Sequence, residues 1–226
     1  MPRSKPAARR AARPQRRLPP YSAELAATWY DGKAFATDWT SWNFPIWARL
    51  LQGYRSRPVQ VLEIGSWEGR SALFFVNYLP RARLTCVDTF AGGQEHREAA
   101  SRSASNARFL RSIERRFDAN TRAFRKRIEK IKAHSVDALA ALGVANRRFD
   151  VAYIDGGHRA VEVYSDAALT WPLMIRGGMV IFDDYQWDEM PERLDTPKPG
   201  IDAFLKSIKG RYRTVHRGYQ VAIVKR

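Results

Sequence analysis

From Pro58 onward the chain alternates short apolar runs with stretches of helical spacing. VQVLEI (59–64) is almost continuously apolar, as a strand buried on both faces must be. GRSALFFVNYL then reads as a helix and RLTCVDTF (83–90) as the second strand. A basic stretch from about 103 to 127 predicts one or two helices with an apolar stripe of Ile113, Phe117 and Phe124. RIEKIKAHS (127–135) predicts a short strand and its exit, VDALAAL a helix, FDVAYID (149–155) a strand, and AVEVYSDAALTWPLM mostly helix. GGMVIFDDY (177–185) predicts the fifth strand, IDAFLKSI (201–208) a helix, and YRTVHR with YQVAIVK two strands joined at Gly218. Such β-α alternation predicts an α/β fold: a doubly wound, mostly parallel seven-stranded sheet with one antiparallel strand near the C-terminus. No internal repeat interrupts it.

Upstream the pattern differs. Residues 1–20 are Pro, Ala and Arg with almost nothing to bury, which predicts a disordered basic arm. Residues 21–57 form a separate helical cap segment, whose WTSWNFPIWARLLQGY (39–54) suits a cover over a sheet edge or a pocket. The remaining residues, 58–226, make the main domain.

Composition narrows the function. The 226 residues carry one cysteine, Cys86, so neither an internal disulfide nor a cysteine-built zinc site is available. No apolar run reaches membrane-spanning length and no secretory signal is visible, so a cytoplasmic enzyme or binding protein is expected, with no membrane partner. The net charge of +16 suggests a nucleic-acid partner. That excess is local, however: the arm contributes seven cations and no acid, and residues 97–132 contribute twelve cations against four acids. The rest of the chain is close to neutral.

The residues with chemistry sit at strand ends. Glu63-Ile64-Gly65-Ser66-Trp67-Glu68-Gly69-Arg70-Ser71 joins the first strand to its helix, where glycines permit a tight turn and helix N–H groups face an anion. Its G-x-x-x-G spacing is not the dinucleotide pattern. Asp88 ends the second strand, where an acid can accept hydrogen bonds from both ribose hydroxyls; alone it reads equally as a surface or capping aspartate.

VLEIGSWEGRS, LTCVDTF, FDVAYIDGGH and GGMVIFDDY, in this order and spacing, resemble the class I S-adenosylmethionine-dependent methyltransferases, which share a Rossmann-like fold. They are most similar to the bacterial macrocin-type sugar O-methyltransferases. The resemblance, covering roughly 39–226, implies S-adenosyl-L-methionine as cofactor. Glu63, Gly65 and Gly69 would lie under its methionine part with Ser66 and Trp67 beside them, and Ser71 would reach its carboxylate. Asp88 and Thr89 would hold the ribose, Ser135 would lie near the adenine, and Asp155 would border the cofactor. Asp155, Asp183 and Asp184 match acids that hold a divalent metal, expected to be Mg2+. Many catechol-type relatives carry Asn where this chain has the second acid of Asp183-Asp184.

The residues also favour a metal on their own account. Three aspartates at neighbouring strand ends repel one another, and a hard cation relieves this through oxygen ligands. The alternative is that Asp183 caps a helix and Asp184 faces solvent. His158, three residues after Asp155, reads as a general base, a metal neighbour or a plain helix-start residue. His96 is a candidate for the acceptor pocket.

The reading is therefore metal-assisted O-methylation of a small-molecule acceptor, with a homo-oligomer allowed. Two rivals remain. One is a nucleic-acid methyltransferase using the arm and 97–132 as a phosphate track. It lacks the Asn/Asp-Pro-Pro-aromatic motif of base-amino chemistry, since Phe182-Asp183-Asp184-Tyr185 stands there, and Cys86 lies inside a strand; a ribose hydroxyl acceptor stays open. The other is a non-catalytic cofactor-binding module, for which three clustered acids have no use.

Overall fold

The structure is a computed structural model that describes residues 18–187 and 196–226. Most of the basic arm, residues 1–17, lies outside the described residues. Seven strands form one sheet: β1 (Val59–Ile64), β2 (Ala82–Asp88), β3 (Ile128–Lys132), β4 (Phe149–Ile154), β5 (Met174–Phe182), β6 (Tyr212–Arg217) and β7 (Val221–Lys225). Their order is β3-β2-β1-β4-β5-β7-β6. β7 runs antiparallel to both its neighbours and is the single reversed strand, because β6 turns back into the common direction. The fold is thus the doubly wound, mostly parallel sheet that the sequence predicts.

Successive side chains of a strand face opposite ways, so each central strand feeds two cores. Val61, Tyr153 and Ile181 enter one core with Trp47, Phe74, Phe75 and Phe117. Leu62, Ile154 and Phe182 enter the other with Leu139, Ala167, Ile201 and Phe204. The first face is covered by α2 (Phe44–Leu50), α3 (Arg70–Tyr78) and α6 (Ile113–Thr121). The second is covered by α7 (Ser135–Val144), α8 (Ala160–Thr170) and α9 (Pro197–Ser207). The sheet is dry on both sides, which is why its inner strands read as unbroken apolar runs.

Two boundaries differ from the sequence reading. Besides the short α1 (Ala23–Thr28) in the cap segment, the basic stretch holds three helices, α4 (Gln94–Arg102), α5 (Ala104–Leu110) and α6, and the first of these three starts well upstream of the predicted region. α4 and α5 bury no side chain fully, so they carry little apolar periodicity to read. The fifth strand begins at Met174, not 177, and ends at Phe182. Asp183, Asp184 and Tyr185 leave it through a turn in which Asp184 has φ 57°.

The cap segment both packs and covers. Phe44, Trp47 and Leu51 are buried in the first core, while residues 35–42 pass over the strand ends. Charged and polar side chains of the glycine loop hold it there. Glu68 Oε2 accepts from the backbone N–H of Ala36 at 2.8 Å and of Thr37 at 3.4 Å. Asn120 exchanges two hydrogen bonds with the backbone of Ala34 and donates a third to the Glu68 carbonyl. Arg70 pairs with Asp38 at 2.7 Å and lies over the rings of Tyr30 and Phe35.

Strand order reverses between β1 and β4, and their ends nearly touch there. Gly65 has φ +86°, and a Cβ on it would sit 1.7 Å from the carbonyl oxygen of Asp155. No side chain fits without separating the two strands. Gly65→Ala should therefore lower unfolding free energy by about 3 kcal/mol or more, read from urea midpoints. Gly53→Ala, which meets nothing within 4 Å, is the control and should leave the midpoint almost unchanged.

Candidate active site

The carboxyl ends of β2, β1, β4 and β5 carry Asp88, the glycine loop, Asp155 and Asp183-Asp184 along one edge of the sheet. Doubly wound sheets place ligands at this edge, beside the point where strand order reverses. Two adjoining cavities occupy it, of about 410 and 210 Å3, and they share Trp39, Gly65, Trp67, Glu95, His96, Asp155 and His158.

The smaller cavity is lined by Asp88, Thr89 and Ser135 as well as the shared residues. Asp88 is not a free carboxylate. Its Oδ2 accepts from the amides of Ser66 and Trp67, both at 2.8 Å, and its Oδ1 accepts from Phe90 N–H at 2.5 Å. Burial pushes its pKa up against these three hydrogen bonds. Asp88 thus sets the loop's shape, at the cost of left-handed backbone at Trp67 (φ 47°) and Phe90 (φ 55°) on either side. With one oxygen accepting a single bond, it keeps capacity for a ligand hydroxyl.

Two residues expected at the cofactor lie outside the lining of both cavities. Glu63 is fully buried and accepts from Ser66 Oγ at 2.6 Å and from Cys86 Sγ at 3.2 Å. Burial raises its pKa, and its hydrogen bond from Ser66 ties it to the loop from beneath. Gly69 starts α3 with its Cα facing Thr121 and Phe117. Ser66 and Ser71 do line the larger cavity, and Gly65, Trp67 and Asp155 border both.

The larger cavity holds the acids. Ligand atoms of Asp155, His158 and Asp184 all lie within 4.8 Å of one another, the one such group among the described residues. His158 joins the triplet where Asp183 was expected. Asp183 is buried beneath it, with its oxygens taken by the Tyr153 hydroxyl and the Asp184 amide. Tyr153 O–H also lies 2.8 Å from Asp155 Oδ2, so one phenol stands between two carboxyls. Burial and the neighbouring acids raise the pKa of Asp155 well above the carboxylate range, and that of Asp183 to about 7. Asp184 is held by Tyr219 O–H at 2.7 Å and by His158 Nε2 at 3.2 Å.

His158 has a partner on each nitrogen. Nδ1 is 3.3 Å from Glu95 Oε1, which also meets His96 Nδ1 at 2.8 Å. Burial alone would lower the His158 pKa, but Asp184 and Glu95 lift it to about 10. Glu95 moves the other way: burial would raise it, but the two imidazoles of His158 and His96 beside it outweigh that and hold it below the usual carboxylate range. Glu95 escaped the sequence reading, although its neighbour His96 did not. Trp39, Trp42, Trp187 and Tyr219 complete the rim.

With this geometry in place, the comparisons decide the family. The family described as "Methyltransferase domain" matches residues 62–185, more than half of the chain. The chain belongs to the class I S-adenosylmethionine-dependent methyltransferases. No curated protein matches it. Among solved structures, this methyltransferase is similar to MycE of the mycinamycin biosynthetic pathway, in complex with Mg, SAH and mycinamycin VI. The TM-score is 0.60 at 20% identity, covering 89% of this chain and 53% of MycE. The chain thus spans about half the length of MycE. It is also similar to an O-methyltransferase from Bacillus cereus in complex with SAH (TM-score 0.57, 18% identity, covering 89% and 88%). A third is the O-methyltransferase NovP (0.59, 17%, 81% and 78%). At such identities these structures share the fold. No helix among the described residues is long and apolar enough to cross a membrane.

The shifted groups set a pH dependence. Asp155, Asp183 and His158 each bind protons more tightly folded than unfolded, so their stabilisation is full at low pH and is lost as pH rises. For His158 that loss runs from the ordinary 6.5 to about 10. In EDTA, the melting temperature of this methyltransferase should therefore fall steadily between about pH 6 and about pH 9. His158→Gln should flatten the upper half of that slope in thermal scans.

Proposed function

We propose that this methyltransferase moves the methyl group of S-adenosylmethionine to a hydroxyl oxygen of a small molecule, assisted by a divalent cation at Asp155 and Asp184. The observation that carries the reading is the Asp155–His158–Asp184 triplet in the wall of the larger cavity. Its donor set fits a hard cation: two carboxylates, one of them driven toward its neutral acid by crowding, lie where a dication would remove the repulsion. A bound Mg2+ would supply Lewis acidity, lowering the pKa of the acceptor hydroxyl and fixing its direction. The complex of MycE with Mg and SAH supports the same reading.

The remaining work belongs to the chain. Gly65, Ser66 and Ser71 offer backbone and hydroxyl groups where the methionine end of the cofactor would lie, and Asp88, Thr89 and Ser135 line the place for its nucleoside. The acceptor oxygen attacks the methyl carbon, the C–S bond breaks, and its electron pair stays on sulfur, giving S-adenosylhomocysteine. His158 takes the hydroxyl proton on Nε2 while Glu95 holds its Nδ1–H. His158 Nε2 lies 3.2 Å from Asp184 Oδ2. A dication held by Asp184 would weaken one of the two partners that keep His158 protonated, which would bring the imidazole closer to the pKa a base needs near neutral pH.

Chelation with EDTA should abolish methyl transfer while S-adenosylmethionine still binds, as judged by calorimetry. Asp155→Asn and Asp184→Asn should each reduce kcat/KM by about 100-fold or more, near 3 kcal/mol of barrier. Asp183→Asn, one layer beneath, should cost less. Full turnover in EDTA would remove the metal, and His158→Ala would then be the inactive variant.

A further inference from the structure

The electrostatics of the acceptor cavity run against those of the molecule. The chain carries +16, yet six carboxyl groups line the larger cavity: Asp38, Glu68, Glu95, Asp155, Asp183 and Asp184. Arg70 matches Asp38 at 2.7 Å, and Arg116 approaches Glu68 at 3.3 Å from behind the wall. His158 serves Glu95 and Asp184 together, and His96 adds an imidazole beside Glu95. Asp155 and Asp183 have only the Tyr153 hydroxyl between them. A dication at Asp155 and Asp184 would offset those two charges and leave Glu95 and Asp183 facing the single imidazole of His158 and that of His96.

Above these acids the rim is aromatic and open. Trp39 and Trp42 are 55% and 51% exposed, although both belong to a concave wall. Trp39 packs against Trp67 and His96, and Trp42 meets Tyr219 edge-on at 4.7 Å. A hydrogen bond of 2.9 Å from Trp42 Nε1 to the Trp39 carbonyl fixes the two relative to each other. Exposed indoles ordered beside carboxylates attract cations through both their π faces and the local field. The same field disfavours phosphate and carboxylate groups.

We propose that the acceptor is a small hydroxylated ring compound carrying a protonated amine, received by Trp39 and Trp42 with its ammonium group in the field of the cavity acids. The proposal rests on the O-methyl-transfer reading and adds the charge of the substrate. It also assigns specificity to two residues of the cap segment that line the cavity over the strand ends.

The test uses the full chain with Mg2+ and S-adenosylhomocysteine, and two sets of matched probes in calorimetry. One set is dopamine, 4-methylcatechol and 3,4-dihydroxybenzoate; the other is the methyl glycosides of glucosamine, N-acetylglucosamine and glucuronic acid. In at least one set the amine should bind about tenfold tighter than the neutral probe, and the carboxylate more weakly still. That ranking should shrink as salt rises from about 50 to about 500 mM. Trp39→Ala and Trp42→Ala should each weaken amine binding by about fivefold, with Trp39→Phe retaining most of it. Thr40→Lys on the rim should lower the amine-to-carboxylate ratio. Equal binding across charge, preference for the carboxylate, or no binding by any of the six overturns the inference. Parallel methyl-transfer assays separate the two readings. Amine-first binding without transfer to any hydroxyl overturns the O-methyl reading alone, and transfer without charge ranking overturns this inference alone.

Discussion

Everything at the active edge depends on how closely β1 and β4 approach where strand order reverses. The contact is backbone against backbone, Gly65 against the Asp155 carbonyl, with no room for a side chain. It continues the ladder past the strand ends, since Asp155 N–H donates to the Ile64 carbonyl at 2.8 Å and Asp183 N–H to the Ile154 carbonyl at 3.0 Å. The loop after β1 and the acids after β4 and β5 are therefore held in one register. A ligand at the loop and one over the acids would meet along the same sheet edge.

That register concentrates cost as well as chemistry. Of the four residues other than glycine with positive φ among the described residues, three stand at this edge: Trp67, Phe90 and Asp184. Each marks a turn imposed by a neighbouring carboxyl group. Asp88 draws the loop amides inward, and Asp183 accepts the amide of Asp184. Strained backbone, crowded acids and a doubly paired imidazole are affordable because two dry cores anchor the strands beneath.

Much of this was legible in the chain because it is local. The apolar runs of β1, β4 and β5 announce a sheet covered on both faces, and acids that follow such runs must lie at its carboxyl edge. What sequence could not supply was depth. Asp183 and Asp184 are adjacent, yet one turns under to Tyr153 and the other outward to His158, a choice made by the turn after Phe182. Glu95 reaches His158 from a helix that lies 63 residues earlier in the chain, with an apolar content too low to show its period. Glu63, conspicuous as an acid at a strand end, is a brace because Ser66 and Cys86 close over it.

The glycine loop faces two ways, and this has a mechanical consequence. Glu68 and Arg70, on either side of Gly69, grip residues 36–38 of the cap, while the amides of Ser66 and Trp67 answer to Asp88. The wall of the larger cavity and the loop beside the smaller one are consequently a single hydrogen-bonded part. Evolution or design cannot exchange that wall as an independent module, because a new backbone there would reshape the loop. Only the side chains that project from it, Trp39 and Trp42 first among them, can change without moving that backbone.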